Sequence, residues 1–239
     1  PAFSVGPNEW RTITATVKVP ETAAFSYYYA IVFSRAEETI IPGDRQTALQ
    51  GGTAILMLLE AKVPGAKREV TVKAFSPDKG FYEFLPTTFR IAIENTGNVH
   101  LAPRGNIFIS QHGKEVALLE VNQEKGNILP QSTRTFEVAW ADGFPFYQQK
   151  VIDGKTERDE EGNVLQELHW NWNDASKLRF GKYTAKMLLV YDDGSRDVPI
   201  EGEVSFWVVP WRGLIVATIV AIFFLVGVRS TLLKLWRKI

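Results

Sequence analysis

Apolar and polar residues alternate in short segments along most of this 239-residue chain. A period of two residues is typical of a β-strand with one buried face. At 11–19 the pattern places Ile13, Ala15, Val17 and Val19 on one face. The same reading predicts strands at residues 11–19, 25–33, 53–63, 69–75, 87–95, 105–111, 115–121, 134–140, 182–191 and 197–209.

The segment 53–63 is ambiguous because it is apolar throughout. Its central residues 56–62 (LMLLEAK) have the propensity of a helix. Its strand neighbours and the Pro64-Gly65 stop favour a buried strand.

Turn-forming residues separate the predicted strands. Asp192-Asp193-Gly194-Ser195 lies between two strong strand patterns, which predicts a tight hairpin with positive φ at Gly194. In the segment ENTGN, Gly97 is expected to adopt positive φ, and Asn95 or Asn98 to cap backbone donors.

A different pattern appears near the C-terminus, where residues 213–228 read GLIVATIVAIFFLVGV without a charge. With its flanks, this run is long enough for a helix that crosses a membrane. A buried core helix and an amphipathic surface helix are the alternatives. Each would show a polar face, and this run has none. Basic residues after the run predict a cytoplasmic C-terminus and an external N-terminus. The predicted membrane-anchor residues are Trp211, Arg212, Arg229, Lys234, Trp236, Arg237 and Lys238.

Charge distribution changes the expected partners. Residues 1–210 contain 22 basic and 27 acidic residues, a net charge of −5, so nucleic acid is not expected as a partner.

The chain has no cysteine, which excludes disulfides and thiolate chemistry. For an exported protein of this size, this fits a prokaryotic surface better than a eukaryotic one, where disulfides are usual. It begins at Pro1, so we expect that a signal peptide has been removed or that the chain is a fragment.

Together these patterns predict an all-β fold, an immunoglobulin-like β-sandwich ectodomain followed by one transmembrane helix. Residues 1–65 are expected to be the C-terminal part of a first immunoglobulin-like domain, because they supply only about three strands. Residues 66–210 would form a complete sandwich with an insertion at about 143–180. Residues 211–235 would form the transmembrane helix and residues 236–239 a short basic tail.

Several segments resemble the membrane-anchored WxL-interacting proteins and related immunoglobulin-like surface proteins of bacteria. They are SVGPNEWRTITATVKVPETAAFSYYYAIVFS, FRIAIENTGNVHLAPRGNIFI, GNILPQSTRTFEVAW and GKYTAKMLLVYDDG. The resemblance implies two immunoglobulin-like domains, a C-terminal anchor, and binding to peptidoglycan or to other surface proteins. The resemblance does not identify any binding residue in this chain.

The sequence motifs predict neither catalysis nor a bound cofactor. His100, His112 and His169 have no metal-ligand spacing, and His100 and His112 are expected to be solvated in turns. No nucleophile elbow, phosphate-binding loop or dinucleotide fingerprint occurs. The acidic tip of the insertion, at 153–161, suggests either a calcium site or a solvated loop, and the spacing favours the loop.

Aromatic residues concentrate around the insertion, where 147–152 and 164–170 are expected to pair as a hairpin. Aromatic platforms bind sugars and proteins, but they also cover the open ends of sandwiches. The predicted contact surface comprises Phe144, Phe146, Tyr147, His169, Trp170 and Trp172. Two functions follow as hypotheses: a non-catalytic cell-surface interaction protein anchored in the lipid bilayer, or a structural subunit of a larger envelope assembly.

Overall fold

The computed structural model describes residues 2–19, 26–34, 52–60 and 65–236, with side chains as far as Arg229. A 3-10 helix spans Trp172–Lys177, and the helix α1 spans Trp211–Trp236. The strands are β1 (Ser26–Ser34), β2 (Gly52–Glu60), β3 (Val70–Pro77), β4 (Phe81–Tyr82), β5 (Thr87–Asn95), β6 (Arg104–Gln111), β7 (Lys114–Val121), β8 (Thr133–Trp140), β9 (Phe146–Gln149), β10 (Val151–Ile152), β11 (Lys155–Thr156), β12 (Gln166–His169), β13 (Gly181–Asp192) and β14 (Asp197–Val208).

Eight of these strands form two sheets. The larger sheet has the order β4-β14-β13-β6-β7, and the smaller has the order β3-β5-β8. All neighbours in both sheets are antiparallel except β4, which pairs in parallel with the end of β14. Three two-stranded ribbons, β1-β2, β9-β12 and β10-β11, lie outside these sheets.

The two sheets share one core. Successive side chains of a strand point to opposite faces, and in β5 this alternation buries Phe89, Ile91 and Ile93 completely. They belong to the same apolar cluster as Met187 and Leu189 of β13 in the other sheet. The other fully or nearly fully buried members are Tyr82, Leu85, Ile107, Ile109, Val121, Ile128, Phe136, Trp140, Tyr183, Ala185, Phe206 and Val208.

Most predicted strands are confirmed, and one is wrong. The prediction at 87–95 coincides with β5, and the segment 53–63 forms the strand β2 over its described part rather than a helix. Residues 11–19 form no strand, although they alternate. A strand needs a neighbour for its backbone hydrogen bonds, and within the described residues this segment pairs with none. Ile13, Val17 and Val19 are accordingly exposed.

The turns show two different uses of glycine. Gly194 has φ +98°, as the hairpin between β13 and β14 requires, so that prediction is confirmed. The prediction of positive φ at Gly97 is wrong. Glycine is needed there because a Cβ would overlap the carbonyl oxygen of Lys67. The expected capping is present: Gly97 N donates to Asn95 Oδ1 at 2.9 Å and Lys67 N to Asn98 Oδ1 at 2.6 Å.

The helix α1 carries the apolar run. Between Trp211 and Arg229 it is long and apolar enough to cross a membrane, and none of these side chains is buried. The alternative of a buried core helix is therefore wrong for this segment. A helix of 19 residues rises roughly 28 Å, close to the thickness of the hydrocarbon layer.

We expect residues 65–210 to fold alone, because the shared core lies entirely within them. Urea unfolding of this fragment should be a single cooperative transition that coincides by circular dichroism and by tryptophan fluorescence. A peptide of residues 1–64 is the counterpart, and we expect no cooperative transition from it. A broad or non-coincident transition in the larger fragment would contradict the prediction.

Candidate functional site

The segment that follows β8 leaves the two sheets at the end where α1 begins. Gly181, the first residue of β13, pairs with Val208, the last of β14. Tyr82 pairs with Val208 from the other side. The ring of Trp140, the last residue of β8, lies 5.3 Å from that of Tyr183 near the start of β13. We call this end of the domain the helix-proximal end. The insertion, which the sequence predicted at about 143–180, occupies the whole segment 141–180 between β8 and β13.

The insertion is built on a hairpin. β9 and β12 pair antiparallel, with Tyr147 opposite Leu168, and the short ribbon β10-β11 extends beyond them. The predicted hairpin is therefore confirmed where β9 and β12 pair. It is wrong for Val151 and Ile152, which pair with β11, and Trp170 lies beyond the end of β12. Asp153 and Gly154 adopt positive φ in the turn at the tip.

Asp142 fastens the insertion to the domain. One of its carboxylate oxygens lies 2.8 Å from Lys177 Nζ, and the other accepts a hydrogen bond of 2.8 Å from Arg179 Nη2. Lys177, through its hydrogen bond and charge, and Arg179 hold the pKa of Asp142 below its ordinary value. Phe144 N donates to the carbonyl oxygen of Lys177 at 3.0 Å. Both ends of the insertion are thus joined at its base.

Three aromatic rings form a cluster beside this base. Phe144 is buried, and its ring lies 5.6 Å from Trp170 and 5.2 Å from Trp172. The two indoles stack on each other at 5.7 Å with an interplanar angle of 26°. Trp170 is 50% exposed and Trp172 is 71% exposed. Solvent therefore reaches much of both indoles, while Phe144 supports them from within.

The remaining predicted contact residues lie closer to the core or to α1. Phe146 is half-buried against the core, and its ring lies 5.3 Å from that of the exposed His169. Tyr147 is also half-buried, and its hydroxyl donates to Glu83 Oε2 at 3.2 Å. The same Glu83 oxygen lies 3.4 Å from Arg212 Nη1 in the first turn of α1. Burial and the charge of Glu83 raise the pKa of Tyr147.

The acidic tip is held by local hydrogen bonds. Asp159 Oδ1 accepts from the backbone of Glu161 at 3.0 Å and of Asn163 at 2.8 Å, and Lys150 pairs with Glu157 at 2.6 Å. Within the described residues, no three His, Asp or Glu side chains converge on a point where a metal ion would fit. The solvated-loop interpretation accounts for these contacts directly.

The histidines lie apart from one another. His112 is exposed in a turn, as expected. The expectation for His100 is wrong, because its Nδ1 is buried without a hydrogen-bond partner in the described structure. Its ring packs 6.2 Å from Tyr28 of β1, which explains its partial burial.

A separate open groove of about 380 Å³ lies along β7 and β8. Its lining is largely polar and includes Glu120, Glu124 and Glu137 around Arg134. Ligand pockets are usually enclosed and mostly apolar, so the aromatic cluster is the stronger candidate for a contact surface.

Sequence patterns indicated the aromatic residues but missed Glu83, Asp142 and Arg179, which fix their position. The available signal was that Asp142 lies two residues after a predicted strand, where a carboxylate can fasten the next loop. Comparison of the chain with protein-family models, with curated proteins and with solved structures gave no match.

Proposed function

We propose that this chain is a non-catalytic, membrane-anchored cell-surface protein that presents an immunoglobulin-like β-sandwich for cell-wall or protein–protein interaction. The observation that carries the proposal is the direct passage of β14 into an apolar helix with no buried side chain between Trp211 and Arg229. In water this surface would be unfavourably hydrated, whereas a bilayer removes it from water.

The interior of the helix suits a membrane. Its one hydroxyl between Gly213 and Val228, on Thr218, donates to the carbonyl oxygen of Leu214 at 2.8 Å. A polar group in hydrocarbon needs such an internal partner. The charged residues lie at the ends, with Arg212 before the apolar run and Arg229 after it.

The flanking charges support an external N-terminal domain. Arg212 is the single basic residue between Val198 and the apolar run, while Arg229, Lys234, Arg237 and Lys238 follow the run. The positive-inside rule assigns the richer flank to the cytoplasm. Lys234 and Trp236 lie within α1 without described side chains, and Arg237 and Lys238 lie outside the described residues.

Two features support an immunoglobulin-like sandwich and a binding role. Antiparallel sheets that share one core are the basis of that fold. The resemblance to WxL-interacting proteins adds peptidoglycan or a surface protein as partner. The β13–β14 turn at 192–197 lies at the other end of the domain from α1 and is largely exposed, so it is open to such partners. We propose no catalytic role, because the sequence lacks a catalytic motif.

A second candidate function is a structural subunit of a larger envelope assembly. The ribbon β1-β2 favours it, because Val32 is 62% exposed and Leu56 is 74% exposed. Apolar strands exposed in this way are suited to packing against another protein. Purification from detergent-solubilised membranes separates the two functions: a stoichiometric complex supports the assembly, and binding of the released domain to cell-wall sacculi supports the first proposal.

Protease added to intact cells that express the full chain should digest the β-strand region and spare a small fragment containing α1. The reason is the predicted orientation with four basic residues on the cytoplasmic side. Immunoblots against a tag at each end would follow both products. Permeabilised cells are the control, and an N-terminal region protected until permeabilisation would contradict the orientation.

A further inference from the structure

The helix-proximal end has little freedom to leave the membrane surface. Only Val209 and Pro210 connect β14 with α1. An extended residue spans at most about 3.6 Å, so this connection bridges roughly 10 Å. Val209 N also donates to the carbonyl oxygen of Tyr82 at 2.8 Å, which ties the connection to the domain. If α1 crosses a bilayer, this end of the domain therefore lies at its surface.

The first turn of α1 is also joined to the insertion. The carboxylate of Glu83 contacts both Arg212 of the helix and Tyr147 of β9. Both groups lie within 3.4 Å of the same oxygen, Glu83 Oε2. The hairpin of the insertion is thus adjacent to the point where the helix would enter the membrane.

Exposed apolar side chains surround this end of the domain. Trp172 is the most exposed, and Trp170 stacks on it. Indoles favour the boundary between lipid headgroups and acyl chains, because the ring is apolar and the N–H is polar. Other half-exposed apolar side chains at this end, including the neighbours of the strand termini, are Phe81, Leu178, Phe180, Trp207 and Trp211.

The charges beside the indoles are already paired. Lys177 contacts both Asp142 and Asp174, and Arg179 contacts Asp142. The insertion therefore offers no free cation at its base to attract anionic lipid, and contact with a bilayer would depend on the aromatic rings. Such contact should be insensitive to salt, since apolar burial is not screened.

We propose that Trp170 and Trp172 dock in the headgroup–acyl boundary of the same bilayer that α1 crosses, as a second contact that fixes the orientation of the domain. This inference rests on the membrane anchoring proposed above. A cell-wall polymer or a distant protein is the less favoured occupant, because the cluster lies at the helix-proximal end of the domain, which would face the membrane if α1 crosses it.

The absence of cysteine allows a direct test with single labelled cysteines. The full chain is reconstituted in phosphatidylcholine vesicles, with an environment-sensitive fluorophore at Ala175→Cys beside the indoles, at Ile219→Cys within α1, or at Ser195→Cys in the distant β13–β14 turn. Lipids carry a spin-label quencher either near the headgroup or deep in the acyl chain. We expect Ile219→Cys to be quenched by the deep label, and Ala175→Cys by the shallow label severalfold more than Ser195→Cys.

Variants in the Ala175→Cys background test whether the indoles carry the contact. Replacing both Trp170 and Trp172 by alanine should reduce shallow quenching to the level of Ser195→Cys, whereas phenylalanine at both positions should retain part of it. Trp10→Ala, which removes a fully exposed indole elsewhere, is the matched control and should change nothing.

The outcomes separate the two proposals. Quenching at Ile219→Cys without quenching at Ala175→Cys would overturn the lipid contact and leave the anchor intact. No quenching at Ile219→Cys would overturn the anchor and this inference with it. Shallow quenching that persists in the double alanine variant would show that the rings do not carry the contact, which also overturns the inference.

Discussion

Replacing Trp140 by alanine should destabilise the fragment 65–210 by about 3–5 kcal/mol, the range for a large aromatic removed from a core. Trp140 is 1% exposed, and its ring lies 5.3 Å from Tyr183 and 6.0 Å from Phe206. Arg179 covers its remaining face, with Cζ 5.4 Å from the ring centre. Trp140 belongs to the smaller sheet and both of these ring neighbours belong to the larger one, so the core cannot close the space left by alanine without moving a sheet.

Urea unfolding monitored by circular dichroism measures this loss. Trp140→Phe should lower the free energy of unfolding by less than Trp140→Ala does, because an aromatic ring remains. The substitution also removes the indole Nε1, which is buried without a partner in the described structure. Trp172→Ala is the control for an exposed indole and should cost no more than about 1 kcal/mol. Equal losses for Trp140→Ala and Trp172→Ala would show that burial has been assigned wrongly.

Replacing Asn95 by alanine should cost on the order of 3 kcal/mol, although the change removes little apolar surface. Asn95 is completely buried at the end of β5. Its Nδ2 donates to the carbonyl oxygens of Val99 at 2.8 Å and Ile128 at 3.0 Å, and its Oδ1 accepts from Gly97 N at 2.9 Å. Alanine would leave the buried carbonyl oxygen of Val99 and the N–H of Gly97 without these partners, and the carbonyl oxygen of Ile128 would keep only its bond from Leu101 N.

Asn95→Asp sharpens this test because it keeps the shape and the acceptor. At neutral pH it removes both donors and buries a charge, so we expect a loss at least as large as that of alanine. Acidification should reduce the difference in unfolding free energy between Asn95→Asp and Asn95→Ala, because a protonated carboxyl group donates one hydrogen bond. Asn173→Ala, at an exposed position of the insertion, is the matched control. An Asn95→Ala fragment as stable as this control would refute the proposed role of the amide.

The strand pattern of the fold could be predicted because burial on one face leaves an alternation in the sequence. β5 is the clearest case, since its predicted and observed bounds coincide. Alternation does not reveal whether a partner strand exists, which is why residues 11–19 were wrongly assigned. It also does not distinguish the buried Trp140 from the exposed Trp172, because that difference arises from neighbours that are remote in the chain.

The candidate site was only partly predictable for the same reason. The aromatic residues and the hairpin are local features, and both were visible in the sequence. The position of the cluster beside α1 depends on which end of β8 the insertion leaves and on which residue pairs with Val208. Long-range pairings of this kind, like the contact of Glu83 with Arg212, leave no signal in a single sequence.

The direct passage of β14 into α1 has a mechanical consequence. If α1 anchors the domain in a membrane as proposed, any pull between that membrane and a partner bound to the domain would enter through β14, along the direction of that strand. β14 pairs with β13 over twelve residues, and antiparallel hydrogen bonds lie perpendicular to the strands. Such a load would shear these bonds together rather than open them one at a time. The longest strand pairing in the described chain thus lies where tension from the anchor would arrive.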